Sequence, residues 1–306
     1  MHTTMAATNS RNDLIKARTQ VTENTPRLKL LDFVHWLGRP YMLLGTVLSL
    51  TAAVGRILLE NHHSLNASNW VSSSLTTLAV LVTIILTDAY ACQVNNIYDL
   101  EIDKINKPHL ALAAGDITMK AAWAFVVGSA VVSTASAFFL QSKAFLFLVV
   151  MQLGAGTIYS VPPFYLKRST YGAILVCGLF FRGFVYHMMV CEGANVIFGR
   201  PFHLSPAILF LLLVSTGLAG ALGVMKDLPD IKGDTLNNVP TLAALYGPRF
   251  AASIGFGLLL LTYVGSIACG VLFPQMFKQS VMIPAHVAIG TCVAFQGWNL
   301  QNNNYN

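Results

Sequence analysis

The stretch SLTTLAVLVTIILTDAYACQVNNIYDLEID, residues 74–103, decides the fold of this chain. Its first two thirds are apolar, interrupted by threonines and by the single acid Asp88. An uncharged run of about 20 residues is what a helix needs to cross the hydrocarbon core of a bilayer. Its end is the opposite in character, with Asn95, Asp99, Glu101 and Asp103 within nine positions. The pattern recurs in ILFLLLVSTGLAGALGVMKDLPDIKGD, residues 208–234, an apolar run closed by Asp227, Asp230 and Asp234.

Acids are scarce elsewhere. Only 10% of the 306 residues are charged, yet six of the thirteen acids lie in the two short closing clusters, 95–103 and 226–234. Hydrophobic residues make up 55% of the chain and mean hydropathy is +0.60, above the range of soluble domains. Eight apolar spans are expected, at 38–59, 72–95, 117–140, 143–160, 170–191, 204–226, 249–273 and 280–298. The fold class is therefore all-α: a polytopic membrane helical bundle around a central cavity. Residues 1–35 are expected to be a disordered polar tail, 36–300 a single intramembrane domain, and 301–306 a second polar tail. Pro40 is expected at the first turn of the first span, where a missing N–H costs nothing.

The formal charge of +6 raises the question of nucleic acid. The bases sit on the connections between spans rather than in a stripe interleaved with aromatics, so no nucleic-acid partner is expected. No obligate protein partner is evident, and the lipid bilayer is the expected surrounding. Of nineteen Lys and Arg, fourteen fall with the N-terminus and the connections after spans two, four and six; four fall on the other side, and Arg182 lies inside a span. The positive-inside bias places both acidic segments on the cytoplasm-like side, facing each other across one mouth. Endomembrane, plastid and mitochondrial membranes all remain open. The five cysteines show no CxxC spacing and read as small buried hydrophobes.

Asn95, Asp99 and Asp103 are spaced i, i+4, i+8, which stacks them on one helix face. Oxygen donors without His or Cys suit a hard cation such as Mg²⁺. One such cluster is equally a solvated helix end. The second, Asp227, Asp230 and Asp234, with Pro229 and Gly233 bending the backbone, tips the balance towards two Mg²⁺ ions flanking a diphosphate. Asp88, seven residues before Asn95, is expected to line a cavity above the metals, because ionisable residues within spans face a bundle interior or water. Arg182 and Tyr186 share a face at i, i+4; Arg182 either contacts a ligand or pairs with Asp88. His187 falls off that face and reads as an interface or packing residue.

These residues resemble the UbiA superfamily of intramembrane prenyltransferases. Asn95-x3-Asp99-x3-Asp103 with Lys107-Pro108, and Lys226-Asp227-x2-Asp230-x2-Gly233-Asp234, look like its two signatures. Tyr159–Arg168 resembles a third block. Asn106–Gly115 and the second signature are closest to the homogentisate prenyltransferase-like branch.

The resemblance implies a Mg²⁺-dependent transfer of a polyprenyl group from a prenyl diphosphate to an aromatic, phenolic or quinone-precursor acceptor. It implies metal–diphosphate roles for Asn95, Asp99, Asp103, Asp227, Asp230 and Asp234, with Asp99, Asp103, Asp230 and Asp234 as the catalytic carboxylates. Arg39, Lys107, Lys167 and Arg168 become candidates for substrate contacts, or else set topology as surface charges. Tyr159 orients the diphosphate or anchors the interface, and Arg182 is a candidate acceptor contact. Two departures stand out. The family has nine spans against the eight counted here, and His109-Leu110-Ala111-Leu112 lacks the proline usual in that loop. The alternatives are a truncated inactive member of the family, or an ion or organic-ion transporter gated by the carboxylates.

Overall fold

The computed structural model describes residues 40–60 and 70–302. The expected tail at 1–35, Arg39 and residues 303–306 lie outside the described residues. Among the described residues every regular element is helical. The long helices are α1 (Pro40–Glu60), α2 (Trp70–Tyr98), α3 (Met119–Phe139) and α4 (Lys143–Ser160). A broken fifth crossing follows as α5 (Thr170–Val176) and α6 (Phe184–Ile197). Then come α7 (Pro206–Met225), α8 (Pro248–Leu272) and α9 (Gln279–Asn302).

Seven crossings are long and apolar enough to span a bilayer; α1 is the eighth element, with a shorter apolar stretch at Leu43–Leu58. The helix starts follow local chemistry. Pro40 opens α1 as expected, and Pro206 and Pro248 occupy first turns. Thr118, Ser142 and Ser205 each accept a bond from the backbone N–H three residues on, satisfying one orphan donor. The last helix continues through Gln301 and Asn302, the first two residues of the expected polar tail.

Helix α6 is the centre of the bundle and packs against α1, α2, α4 and α7. Tyr186, Met189, Val190 and Ala194 on it are buried with Val80 and Ile84 of α2 and with Phe145 and Val149 of α4. Gly193 makes that approach possible: a Cβ there would meet Val80 Cγ1 at 2.7 Å. Away from the acidic segments, Ser142 donates to Glu192 Oε1 at 2.7 Å and Asn195 to Oε2 at 3.1 Å, so a buried carboxylate ties the start of α4 to the end of α6. Helix α9 packs chiefly on α8 at the periphery. The exterior is apolar, with Phe139, Leu261 and Leu272 exposed, as a lipid-facing surface requires.

The fifth crossing is not one regular helix. A π turn at Cys177–Phe181 and a non-helical Gly183 separate α5 from α6. Gly183 is pressed against the Gly178 carbonyl, where a Cβ would lie 1.3 Å from the oxygen. Only glycine fits that approach.

Candidate active site

One cavity of about 580 Å³ opens between the two acidic segments and runs into the bundle. It is lined by α2, by the connections after α2, α4 and α7, and by the break in the fifth crossing.

The chain leaves α2 at Asp99 without losing helical hydrogen bonding. Asp99 N–H donates to Asn95 O at 2.9 Å, and Asp103 N–H to Asp99 O at 2.8 Å. The three side chains therefore stay on one face, and all three line the cavity. Asn95 donates to Asp99 Oδ2 at 3.0 Å. The second segment is less regular: Asp227 precedes a 3-10 turn at Leu228–Asp230, and a short helix, Ile231–Leu236, carries Asp234. Asp227, Asp230 and Asp234 line the same cavity, and Thr241 donates to Asp234 Oδ2 at 3.1 Å.

The two segments are fastened together. Asn106 Oδ1 accepts the Gly233 N–H at 2.8 Å, and Asn106 Nδ2 donates to the Asp230 carbonyl at 3.0 Å. A Cβ on Gly233 would meet the Asn106 side chain at 2.4 Å. The sequence reading expected Gly233 to bend the backbone; instead it sits inside a helix and makes room for Asn106.

Basic side chains stand against the acids. Lys167 Nζ lies 2.7 Å from Asp99 Oδ1, and Lys226 Nζ donates to Asp227 Oδ1 at 2.6 Å. Lys107 donates to Asp230 Oδ2, while Asp230 Oδ1 is buried without a hydrogen-bond partner. Tyr165 turns the chain through the left-handed region, at φ 44°, and stacks under Lys167 and Arg168 at 4.9 and 4.5 Å. That turn delivers both cations to the cavity wall. Burial pulls the Lys167 ammonium below the usual lysine range, opposed by the Asp99 carboxylate. Burial, then the Asp99 charge, raises the Tyr165 phenol.

Tyr159 lies edge-on to Phe181 at 5.0 Å, with Lys226 Nζ 6.0 Å from its ring. Deeper in, Arg182 pairs with Asp88 at 3.1 Å and stacks on Tyr186 at 4.5 Å.

Every sequence-predicted site residue except Arg39, which is outside the described residues, thus lines one cavity. Sequence reasoning missed three. Lys226 counted as a topological charge and as the first residue of the second signature but was given no contact, yet it reaches Asp227 and the Tyr159 ring. Asn106 opened the stretch Asn106–Gly115 that marks the branch but was given no role in the site. His187 was assigned to packing, but the break before α6 leaves it on the cavity wall beside Tyr186.

Among the described residues no three of His, Cys, Asp and Glu form a ready-made metal cage. The donors are oxygens split between two walls, with one carboxylate oxygen of Asp230 orphaned. Such a set fits Mg²⁺, which takes few carboxylates and completes its shell with water and substrate phosphates.

Known proteins place the chain. It is 38% identical over 272 residues to a protein of Oryza sativa subsp. japonica named probable homogentisate phytyltransferase 2, chloroplastic, covering 87% of this chain and 69% of the relative. Homogentisate solanesyltransferase, chloroplastic, of Arabidopsis thaliana is 36% identical, covering 100% of this chain and 80% of the relative. A solved UbiA homologue from Archaeoglobus fulgidus, bound to DMAPP and Mg²⁺, has the same fold, with a TM-score of 0.60 at 14% identity over 89% of this chain and 87% of that one. Residues 36–306 match the UbiA prenyltransferase family, and the chain belongs to that family as a multi-pass membrane prenyltransferase.

Proposed function

We propose that this protein transfers a prenyl group from a prenyl diphosphate to a ring carbon of a hydroxylated aromatic acceptor, in the presence of Mg²⁺. The observation that carries the reading is the placement of five aspartates and the cations Lys107, Lys167, Arg168 and Lys226 around one cavity mouth. That charge pattern is made for a diphosphate and the cations that accompany it. The acceptor class follows the names of the two plant relatives, which specify homogentisate.

In this reading Asn95, Asp99 and Asp103 on one wall, and Asp227, Asp230 and Asp234 on the other, hold the metal. Bound Mg²⁺ supplies charge neutralisation of the departing diphosphate. The protein's own cations do the rest. Lys107, Lys167 and Lys226 each rest against an aspartate and lie within a side-chain swing of a diphosphate entering the mouth. Leaving a carboxylate for a phosphate oxygen keeps each ammonium paired throughout binding. The C1–O bond of the donor breaks, the diphosphate departs with the electron pair, and a ring carbon bonds to C1. The ring carbon then gives its proton to the departing diphosphate, or to water at the mouth, and aromaticity is restored. Tyr159 and Phe181 present aromatic surface where the allylic carbon develops positive charge, and the apolar wall excludes water that would capture it.

The lysine and arginine distribution supports a mouth on the cytoplasm-like side of the membrane. The location printed for both plant relatives makes a plastid membrane the first to examine.

The test is purified protein in liposomes with geranylgeranyl, phytyl or solanesyl diphosphate and homogentisate. Mg²⁺-dependent release of diphosphate with matching prenylated product is expected. Release of diphosphate with no aromatic product for any donor would reject the acceptor class. No release at all would reject the activity.

A further inference from the structure

We infer that Asp88 selects the acceptor: its carboxylate receives the hydrogen bond of a phenolic hydroxyl held in the inner part of the cavity. The inference rests on the prenyl-transfer reading above.

Asp88 lies in the middle of α2 and lines the cavity. Thr46 donates to Oδ2 at 3.0 Å, and Arg182 Nη2 lies 3.1 Å from the same oxygen. Tyr186 donates to Thr46 at 2.8 Å, Arg182 Nη1 donates to Thr46 at 3.2 Å, and the Arg182 guanidinium stacks on the Tyr186 ring. Three elements, α1, α2 and the broken fifth crossing, thus fix one carboxylate from one side. Both contacts fall on Oδ2, which leaves Oδ1 for a ligand.

The charge of this group decides what it takes. Arg182 is already paired with Asp88, so the pair as a whole does not call for an anion. What it offers is a fixed carboxylate oxygen in an apolar wall, which calls for a neutral donor, an O–H. A site built to bond a hydroxyl rejects the analogue that lacks it far more strongly than an apolar pocket rejects an extra group.

The break in the fifth crossing is a second, independent sign. A regular helix through 177–183 would avoid both the π turn and the close approach of Gly183 to Gly178. Such single π turns are frequent at functional sites. Here the break ends at Arg182, the side chain that holds Asp88.

The spacing fits one ring. Asp88 and Asn95 are seven residues apart on α2, about 10.5 Å along the axis. A hydrogen bond at Asp88 takes about 2.7 Å and the approach of reacting carbons about 3 to 3.5 Å, leaving about 4 to 5 Å. That is the span of a single hydroxylated aromatic ring lying between Asp88 and a donor whose diphosphate is held from Asn95 outward.

The experiment compares homogentisate with each of its two mono-O-methyl ethers in the liposome assay. Each methyl ether keeps the ring electron-rich and removes the donor hydrogen at one oxygen only, leaving the other hydroxyl in place. Wild-type protein is expected to lose at least about 10-fold in kcat/KM for one ether. The double variant Asp88→Leu/Arg182→Met removes the pair together, so that no lone charge is buried. It is expected to raise the KM for homogentisate at least about 10-fold, keep the donor KM within about 2-fold, and lose the discrimination between hydroxyl and ether. Transfer by wild-type protein that ignores methylation at both positions overturns the inference while leaving prenyl transfer intact, even if the variant does not fold. A folded variant that keeps the discrimination, or in which donor and acceptor KM rise together, also overturns it. Absence of transfer to any aromatic acceptor removes the prenyl-transfer reading, and this inference with it.

Discussion

Asn106 and Gly233 stand 127 positions apart in sequence and meet at 2.8 Å, backbone N–H to side-chain oxygen. The same asparagine reaches the Asp230 carbonyl. One side chain from the first acidic segment therefore sets the position of the second. If the carboxylates act together on one diphosphate, as proposed, their separation matters as much as their presence, and this contact helps to set it. Gly233→Ala is expected to lower kcat/KM roughly 100-fold, the scale of an ångström-sized misplacement. Asn106→Ala alone should cost less. The double variant relieves the overlap and should recover part of the loss, a non-additivity read from the four rate constants. Strict additivity would mean that the two residues act separately.

Asp99→Ala and Asp230→Ala are each expected to reduce turnover at least about 100-fold, the scale of losing one preorganised electrostatic partner. Each change also strands a largely buried lysine, Lys167 beside Asp99 and Lys107 beside Asp230, so the thermal midpoint in detergent should fall as well, and turnover is read per folded molecule. Near-normal turnover in either variant would remove the two-walled site.

Lys167→Met removes the ammonium beside Asp99. The donor KM is expected to rise about 10-fold, one lost charge-assisted bond, while the acceptor KM stays near wild type. A selective rise in acceptor KM would place the acceptor, not the diphosphate, beneath this lysine.

Gly183→Ala forces a methyl group to within 1.3 Å of the Gly178 carbonyl oxygen. Destabilisation of at least about 3 kcal/mol is expected, the upper end of ordinary overpacking. The measurement is folded yield and thermal midpoint in detergent. A variant as stable as wild type would show that the break tolerates a side chain.

Much of this architecture is legible in the sequence because two signals survive without tertiary context. Apolar runs of bilayer length are local, and the crossings fall close to the expected boundaries. The i, i+4, i+8 spacing of Asn95, Asp99 and Asp103 is also local and persists because the backbone hydrogen bonds run on through Asp99. What escapes is set by packing between distant segments. The lysine–aspartate partners Lys107–Asp230 and Lys167–Asp99 belong to different connections, and no spacing rule links them. Nor does the run from Thr170 to Ile197 announce its break: the sequence there is as apolar as its neighbours, and the π turn arises where Gly178 and Gly183 close on each other. With helical phase lost at that point, His187 comes to face the cavity rather than the packing surface expected of it.

The pairing of Lys107, Lys167 and Lys226 with the mouth aspartates has a consequence for how the protein waits between turnovers. Carboxylates gathered at one opening would ordinarily repel one another and push the two walls apart. Here each ammonium stands in as a resident counter-ion, so the resting enzyme holds its shape without borrowing charge from solution. Chelation should therefore abolish turnover while leaving the thermal midpoint nearly unchanged. A large fall in the midpoint on adding EDTA would show instead that the cation is part of the scaffold.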